Sequence, residues 1–374
     1  MHCLKDAFNI SALGSLPTLQ DRFLVEGFSY SSYHLSRQVN PLSDLLTVGQ
    51  LVLIFRKLKP QIVHTFDAKE NVWGRMAARL AGVPIIIGTM TGLGALYARD
   101  SLKIRLIRLV YQPLLTLTCR FSDLTIFQNH DNAHQFITAG IVSKRKAPVI
   151  LGSGVSTDLF APSRVSDLEQ AEIRAELDIQ SDKIVVTMVS RVIRSKGVLE
   201  FIYAAQEVGA RCPGVRFLLI GPEDFENVDR LNSEELTQLK QSEAVTWPGP
   251  RRDIPGVLAM SDIFVLPTAF PEGIPRILLE AASMELPIIT TDTPGCNEVV
   301  EHGVNGFLVP VGDPEALSQA IMRLIEQPEL RKRFGRISRQ RVIERFDISV
   351  VADQTSSVYR KLLERKALLP AVES

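Results

Sequence analysis

Short apolar runs recur along this chain, each ending in a glycine-containing or polar turn that leads into a helix-period stretch, and few folds accommodate that alternation. In the first half the runs are 61–66, 85–88 and 124–127, with helical patterns at 71–80 and 101–120 between them. In the second half they are 184–189, 216–220, 244–247, 263–266 and 287–290, with helices predicted at 197–210, 254–260 and 275–284. Runs this short and this apolar read as strands covered on both faces. Alternating with helices, they predict a parallel sheet wound with helices. The stretch 152–183 interrupts the pattern with a glycine- and proline-containing connector and a charged helix at 167–177; beyond Pro314 the pattern is mostly helical. The alternation therefore starts twice, which predicts two α/β domains, and 374 residues suffice for both.

Composition removes several function classes. Lys and Arg together number 42, as do Asp and Glu, so no global basic field gathers nucleic acid and any anion site must be local. Cys3, Cys119, Cys212 and Cys296 stand far apart, against a disulfide framework or a zinc ribbon and in line with a reduced, cytoplasmic protein. No apolar run approaches the roughly 20 residues of a membrane span, and the first residues lack a signal-peptide pattern. Residues 1–27 show only scattered apolar positions and no strand–glycine–helix unit. The expectation is that the chain begins late, without the first one or two strands of its amino-terminal sheet.

The chemistry concentrates at predicted strand ends. After the strand 263–266 comes Glu272-Gly273-Ile274-Pro275, running into a helix that contains Glu280. Pro275 suits a helix start, Gly273 allows close backbone approach, and the unpaired N–H groups of a helix start seat a diphosphate. Two glutamates eight residues apart are by themselves compatible with simple solvation. Glu280, however, lies in the apolar run 277–282, where a carboxylate is expected to have a partner. After the strand 184–189 come Arg191, Arg194 and Lys196, suited to a pyrophosphate leaving group or to a solvated basic turn. After 216–220 comes Gly221. No Asp-x-Asp of the kind that holds a divalent ion against a diphosphate is present, so no metal and no cofactor are expected.

The first half is less explicit. His64 ends a strand, as an acceptor-side contact or a structural histidine, and Thr91 with Gly92 borders an acceptor pocket or makes a plain turn. Asn129 and Asp131 suit helix capping. His130 and His134 lack the glutamate of a zinc helix, and His302 sits in a turn. On the helix 101–120, Arg105, Arg108 and Gln112 share one face; Leu102, Leu106, Leu109 and Val110 lie opposite, Lys103 falls on the apolar side, and Pro113 predicts a kink. Two readings stay open: a surface helix packed on its own sheet, or one docked on an anionic membrane leaflet.

These elements together resemble the retaining GT-B glycosyltransferases of family 4. The segments 190–197 (SRVIRSKG), 218–222 (LLIGP), 248–268, 271–300 (PEGIPRILLEAASMELPIITTDTPGCNEVV) and 302–313 are similar to that family's donor domain. The segments 40–84, 89–94, 127–132 and 152–160 resemble a subgroup that builds bacterial surface polysaccharides, and the likeness runs from Gly27 to Tyr359. It implies two Rossmann-like domains facing across a cleft: 1–160 on the acceptor side, 161–345 binding the nucleotide-sugar, and 346–374 crossing back to the first. It implies Glu272 on the donor sugar, Glu280 on the ribose, Arg191 and Lys196 on the departing diphosphate, and Gly273, Ile274 and Pro275 around sugar and phosphates. The implied reaction moves a hexosyl or N-acetylhexosaminyl group from a UDP-sugar to a saccharide, lipid-linked at the inner face of the cytoplasmic membrane, with retention and without metal. The sequence departs from the family at Ser156, where Asp is frequent, and in lacking the glycine-rich opening strand. A nucleotide-sugar 2-epimerase of the same fold and a non-catalytic sugar-nucleotide-binding partner remain as rivals. A dinucleotide-binding oxidoreductase lacks its Gly-x-Gly-x-x-Gly unit.

Overall fold

A computed structural model describes residues 1–36, 40–92 and 102–368, with the side chains of Pro41 and Lys103 outside the description. Leu93, Gly94 and Ser101, part of the expected glycine loop and helix start, lie outside the described residues. The chain divides into two compact units, 1–150 with 351–374, and 151–350.

The first unit opens with β1 (Ser11–Gly14), the short helix α1 (Gln20–Val25) and β2 (Ser29–Ser32), and the two strands pair in parallel. This corrects the expectation that residues 1–27 hold no strand–glycine–helix unit. Both strands are four residues long and none of their residues is buried, so they leave no apolar run to read. Then come α2 (Pro41–Leu58), β3 (Ile62–Phe66), α3 (Ala68–Ala81), β4 (Ile85–Met90), α4 (Leu102–Phe121), β5 (Leu124–Phe127) and α5 (His130–Thr138). Helix α2 went unread apart from its family likeness. Its start is set by Asn40, whose side chain accepts from Ser43 N at 3.2 Å, and its end by Lys59 in the left-handed region. Helix α4 continues through Pro113.

Strands β3, β4 and β5 form a parallel sheet in that order. Its side chains alternate between two apolar layers, which is why its strands read as unbroken hydrophobic runs. Val63 and Ile86 pack with Val48, Leu51 and Phe55 of α2 and Ala77 and Ala78 of α3. Ile85, Ile87 and Ile126 face the other way, onto Val351, Leu362 and Leu363 of the carboxy-terminal helix Ile348–Arg365.

In the second unit α6 (Asp167–Glu176), capped by Ser166, precedes a regular alternation: β6 (Ile184–Val189), α7 (Val198–Arg211), β7 (Val215–Ile220), α8 (Ser233–Lys240) and β8 (Val245–Gly249). It continues with α9 (Ile254–Ala259), β9 (Ile263–Leu266), α10 (Arg276–Ser283), β10 (Ile288–Thr291), α11 (Cys296–Val299) and β11 (Gly306–Val309). Helices α12 (Pro314–Glu326) and α13 (Pro328–Arg345) follow. The six strands are parallel in the order β11-β10-β9-β6-β7-β8. Strand β11 lies where the sequence suggests only a turn: four residues behind a glycine are too few to show a period. Chain order runs outward from β6 to β8 and, on the other side, from β9 to β11. Neighbours β6 and β9 thus flank the point where strand order reverses, and doubly wound sheets bind their ligands outside the carboxyl ends of the strands at that point.

Candidate functional site

The loops that leave β6 and β9 meet at the switch point. Lys196 ends the turn Arg194–Lys196 after β6, and Gly197 follows it with φ +80. A Cβ on Gly197 would lie 2.2 Å from the carbonyl oxygen of Pro267, so only glycine lets the β6 and β9 loops close on each other. The contact is sealed at Ser195, whose carbonyl accepts from Thr268 Oγ1 at 3.0 Å and from Ala269 N at 2.9 Å. Across this seam the buried Lys196 ammonium pairs with the Glu272 carboxylate. Two residues separated by 76 positions and placed at adjacent strand ends thus form one ion pair.

Arg191 is also at this edge but more exposed, donating from Nη1 to Asp224 Oδ2 at 2.6 Å. Asp224 stands in the loop after β7 and its carboxyl is held below the ordinary range by Asn227 first and by Arg191. Gly221 opens that loop at φ +145, and a Cβ there would lie 1.8 Å from Ser190 O. Its carbonyl accepts from Trp247 Nε1 at 2.9 Å and its N–H donates to Gly249 O at 3.0 Å, which ties the end of β7 to β8. Arg194 is used elsewhere: Nε and Nη2 reach Glu235, at 2.9 and 2.5 Å, which also closes the capping box of α8. Of the three cations after β6, two remain at the switch point.

Gly273 and the buried Ile274 lead to Pro275, which stands just ahead of the first residue of α10 and not within it. Proline there sacrifices no helical donor, and the N–H groups of the first turn face the loop end. Glu280, one turn further, is mostly buried and bonded by Arg276 Nε at 3.0 Å. Burial raises its carboxyl above the ordinary value, with Arg276 opposing. The structure therefore gathers Arg191, Lys196, Gly221, Glu272, Gly273, Ile274, Pro275 and Glu280 at one edge of one sheet.

Of the other candidates, in the first unit, Thr91 and Gly92 follow the carboxyl end of β4, whereas His64 lies in the middle of β3 and not at its end, because the ladder with β4 runs on to Phe66. His64 is partly buried, with Nδ1 2.5 Å from Tyr359 Oη and Nε2 2.7 Å from Thr89 Oγ1. Both ring nitrogens are occupied. Burial, with the Arg75 guanidinium adding, pushes its pKa down to about 3, so the ring is neutral. Thr91 donates to the carboxylate of Asp67, and Gly92 follows. Asp67 was missed in the sequence. It stands between β3 and the first residue of α3 at φ 65 and ψ 174, a region that residues other than glycine rarely enter. Only backbone geometry reveals it. Asn129 caps α5, accepting from Asn132 N at 2.7 Å, and His302 Nδ1 lies 3.1 Å from both Leu308 N and Leu308 O, as a turn histidine does. Among the described residues no group of three or more His, Cys, Asp or Glu is placed to hold a metal ion.

A wound sheet with a cation–carboxylate pair at its switch point, in a chain that carries a second wound sheet, has known counterparts. Residues 169–341 match the family Glycosyl transferases group 1, and residues 15–129 match Glycosyl transferase 4-like. The chain carries GT-B glycosyltransferase domains of these two kinds. One matched segment lies in each unit, and the fold is the α/β two-domain GT-B fold. The chain is 29% identical over 335 residues, 89% of its length and 83% of the relative's, to the UDP-Gal:alpha-D-GlcNAc-diphosphoundecaprenol alpha-1,3-galactosyltransferase of Escherichia coli. It is 29% identical, over 90% of its length and 87% of the relative's, to the N,N'-diacetylbacillosaminyl-diphospho-undecaprenol alpha-1,3-N-acetylgalactosaminyltransferase of Campylobacter jejuni. In fold it is similar to Alr3699/HepE of Anabaena, solved in complex with UDP, at TM-score 0.79 and 22% identity, covering 96% of this chain and 94% of that one.

Proposed function

We propose that this GT-B protein transfers a hexosyl or N-acetylhexosaminyl group from a UDP-sugar to a hydroxyl of a lipid-linked saccharide in surface polysaccharide synthesis. The reading rests above all on Lys196 and Glu272 meeting at the switch point. The ammonium is positioned to neutralise charge gathering on a departing diphosphate, and the carboxylate to accept from donor-sugar hydroxyls. Arg191 adds a second cation, and the first turn of α10 adds backbone donors and a positive dipole end. With that charge supplied by the protein, no metal is invoked. Glu280 takes the ribose hydroxyls. His64, Thr91, Gly92 and the overlooked Asp67 form the acceptor edge of the first unit, uncharged apart from the one carboxylate. The proposed outcome is retention of the anomeric configuration. The printed activities of the E. coli and C. jejuni relatives, both on diphosphoundecaprenol-linked sugars, support this acceptor class. The UDP in the Alr3699/HepE complex supports the nucleotide.

Calorimetric titration with UDP and with GDP, in EDTA, tests the donor half. UDP should bind with micromolar affinity, GDP more weakly, and Lys196→Ala should abolish the signal. If a folded wild-type chain binds neither nucleotide, or if Lys196→Ala binds as wild type does, the site is misassigned.

A further inference from the structure

The loop that carries Glu272 is shaped by backbone from the next strand as well as by Lys196. After β10 the chain turns through 292–295 into α11, and Gly295 in that turn is buried, with φ +87. A Cβ on Gly295 would lie 2.1 Å from the Gly273 carbonyl oxygen, 2.9 Å from its carbonyl carbon and 3.2 Å from Ile274 Cα. Glycine meets glycine here, and the peptide that joins Gly273 to Ile274 rests against the backbone of the turn.

The turn itself is anchored. Thr291 Oγ1 donates to Thr268 O at 2.5 Å, and Thr268 Oγ1 donates to Ser195 O at 3.0 Å, so hydroxyls link the loops after β10, β9 and β6 in series. Thr293 Oγ1 lies 3.3 Å from Thr291 Oγ1, and the Thr293 carbonyl accepts from Cys296 N at 3.0 Å and from Asn297 N at 3.2 Å. Thr268, Thr291, Thr293 and Cys296 are all buried. Burial raises the Cys296 thiol, Thr290 and Thr293 oppose it, and the charges of Glu272 and Lys196 both reach it, so the turn stands beside the ion pair. Residues 269–272 of the donor loop, by contrast, are exposed or half-buried. A push at Gly295 is therefore taken up by the donor loop and not by the turn.

Side-chain carbons do not come closer than 3.0 Å to such an atom, so a methyl on Gly295 displaces the Gly273 carbonyl by about 1 Å. Glu272 precedes that carbonyl by one residue and moves with it, while Arg191 and Lys196 stand on another loop and stay. We infer that Gly295 is a positioning residue for the donor sugar: its bare Cα sets the height of the Gly273 peptide and, through it, the reach of the Glu272 carboxylate toward a hexose. This role rests on the donor site proposed above and separates control of the sugar from control of the nucleotide.

Calorimetric titration with UDP and with UDP-glucose, UDP-galactose, UDP-N-acetylglucosamine and UDP-N-acetylgalactosamine tests it, with melting temperatures read on the same samples. The wild type should bind UDP and at least one of the sugar nucleotides. Gly295→Ala should keep UDP within about twofold of wild type and bind that sugar nucleotide about tenfold or more weakly. Gly303→Ala is the control. Gly303 has φ +78 and open space around it, so alanine there carries the backbone strain without the collision, and both affinities should stay as in wild type. If Gly295→Ala does not fold, Thr291→Val takes its place, removing the bond to Thr268 O at nearly the same shape. It should weaken the sugar nucleotide about fivefold and leave UDP unchanged, and Thr291→Ser should bind as wild type does. Wild-type affinities in Gly295→Ala would overturn the role, as would UDP and sugar nucleotide weakening together, or the same loss in Gly303→Ala. A wild type that binds UDP and none of the sugar nucleotides would overturn it and leave the nucleotide site standing. One that binds no UDP would remove the donor reading itself.

Discussion

The carboxyl edges of the two sheets are built from different chemistry on the same topology. At the edge of the six-stranded sheet the polar groups are charges in pairs: Lys196 with Glu272, Arg191 with Asp224, Glu280 with Arg276. Near the edge of the three-stranded sheet they are mainly neutral hydrogen bonds, His64 to Tyr359 and Thr89, with Asp67 held by Thr91. A parallel sheet delivers its loops to one edge whatever they carry, so under the proposed function the difference is one of task. A diphosphate arrives with charge that must be met by charge in a place poor in water. An acceptor hydroxyl arrives neutral, and an imidazole or threonine suffices to orient it.

The sharpest way to break this division is to cut one group from each edge. Glu280→Ala should weaken UDP binding about tenfold to a hundredfold, the cost of roughly 1.5 to 3 kcal/mol for a lost hydrogen bond to a charged group. His64→Asn should leave UDP affinity unchanged in the same calorimeter. An unchanged affinity in Glu280→Ala, or a loss in His64→Asn, would erase the assignment of nucleotide to one edge and neutrality to the other.

A second test uses protons. His64 is held neutral, its pKa about 3 in the fold against 6.5 for the ordinary ring, so below pH 6.5 the unfolded chain takes up a proton that the folded chain refuses. Its contribution to stability is therefore complete above pH 6.5 and is lost as pH falls toward the folded value. The slope is about 1.4 kcal/mol per pH unit. Urea unfolding at pH 6.5 and at pH 4.5 should show wild type losing more stability than His64→Asn. Equal losses would mean that the ring takes up its proton in the fold and the edge is not neutral.

Much of the donor edge was legible in the sequence because its residues sit in the loops that a strand–helix alternation fixes. Once 184–189 and 263–266 read as buried parallel strands, Lys196 and Glu272 must lie at one edge. The pairing of those strands as neighbours was not legible, since strand order comes from packing that no local pattern encodes. Pro275 was placed one position too far into its helix, a distinction that rests on ψ alone. The acceptor edge was harder. Asp67 looks in sequence like any residue ahead of a helix, and its strained backbone exists only in the fold. The opening strands Ser11–Gly14 and Ser29–Ser32 are short and uncovered, so apolar periodicity could not report them. The leucines of α4 were visible as a stripe, but whether a stripe turns inward or outward depends on the sheet beneath it. Leu115, Thr118 and Cys119 took the inward role, while Leu102, Leu106 and Leu109 stayed exposed.

The smallest expected effect concerns how the donor edge waits for its ligand. Arg191 is half exposed and bonded to Asp224, which also accepts from Asn227 Nδ2 at 3.1 Å. An arriving diphosphate must either displace Asp224 from the guanidinium or share it. Exposed ion pairs are weak and are screened by salt, so the displacement is cheap but not free. Asp224→Asn keeps the shape and the Asn227 contact while removing the competing charge, and UDP should bind it roughly twofold to fivefold more tightly at low salt, with the gain shrinking as salt rises. The opposite sign is equally informative. If Asp224→Asn binds UDP more weakly, the carboxylate orients Arg191 for the phosphates. The pairs at this edge would then be the site's working geometry, already set before the nucleotide arrives.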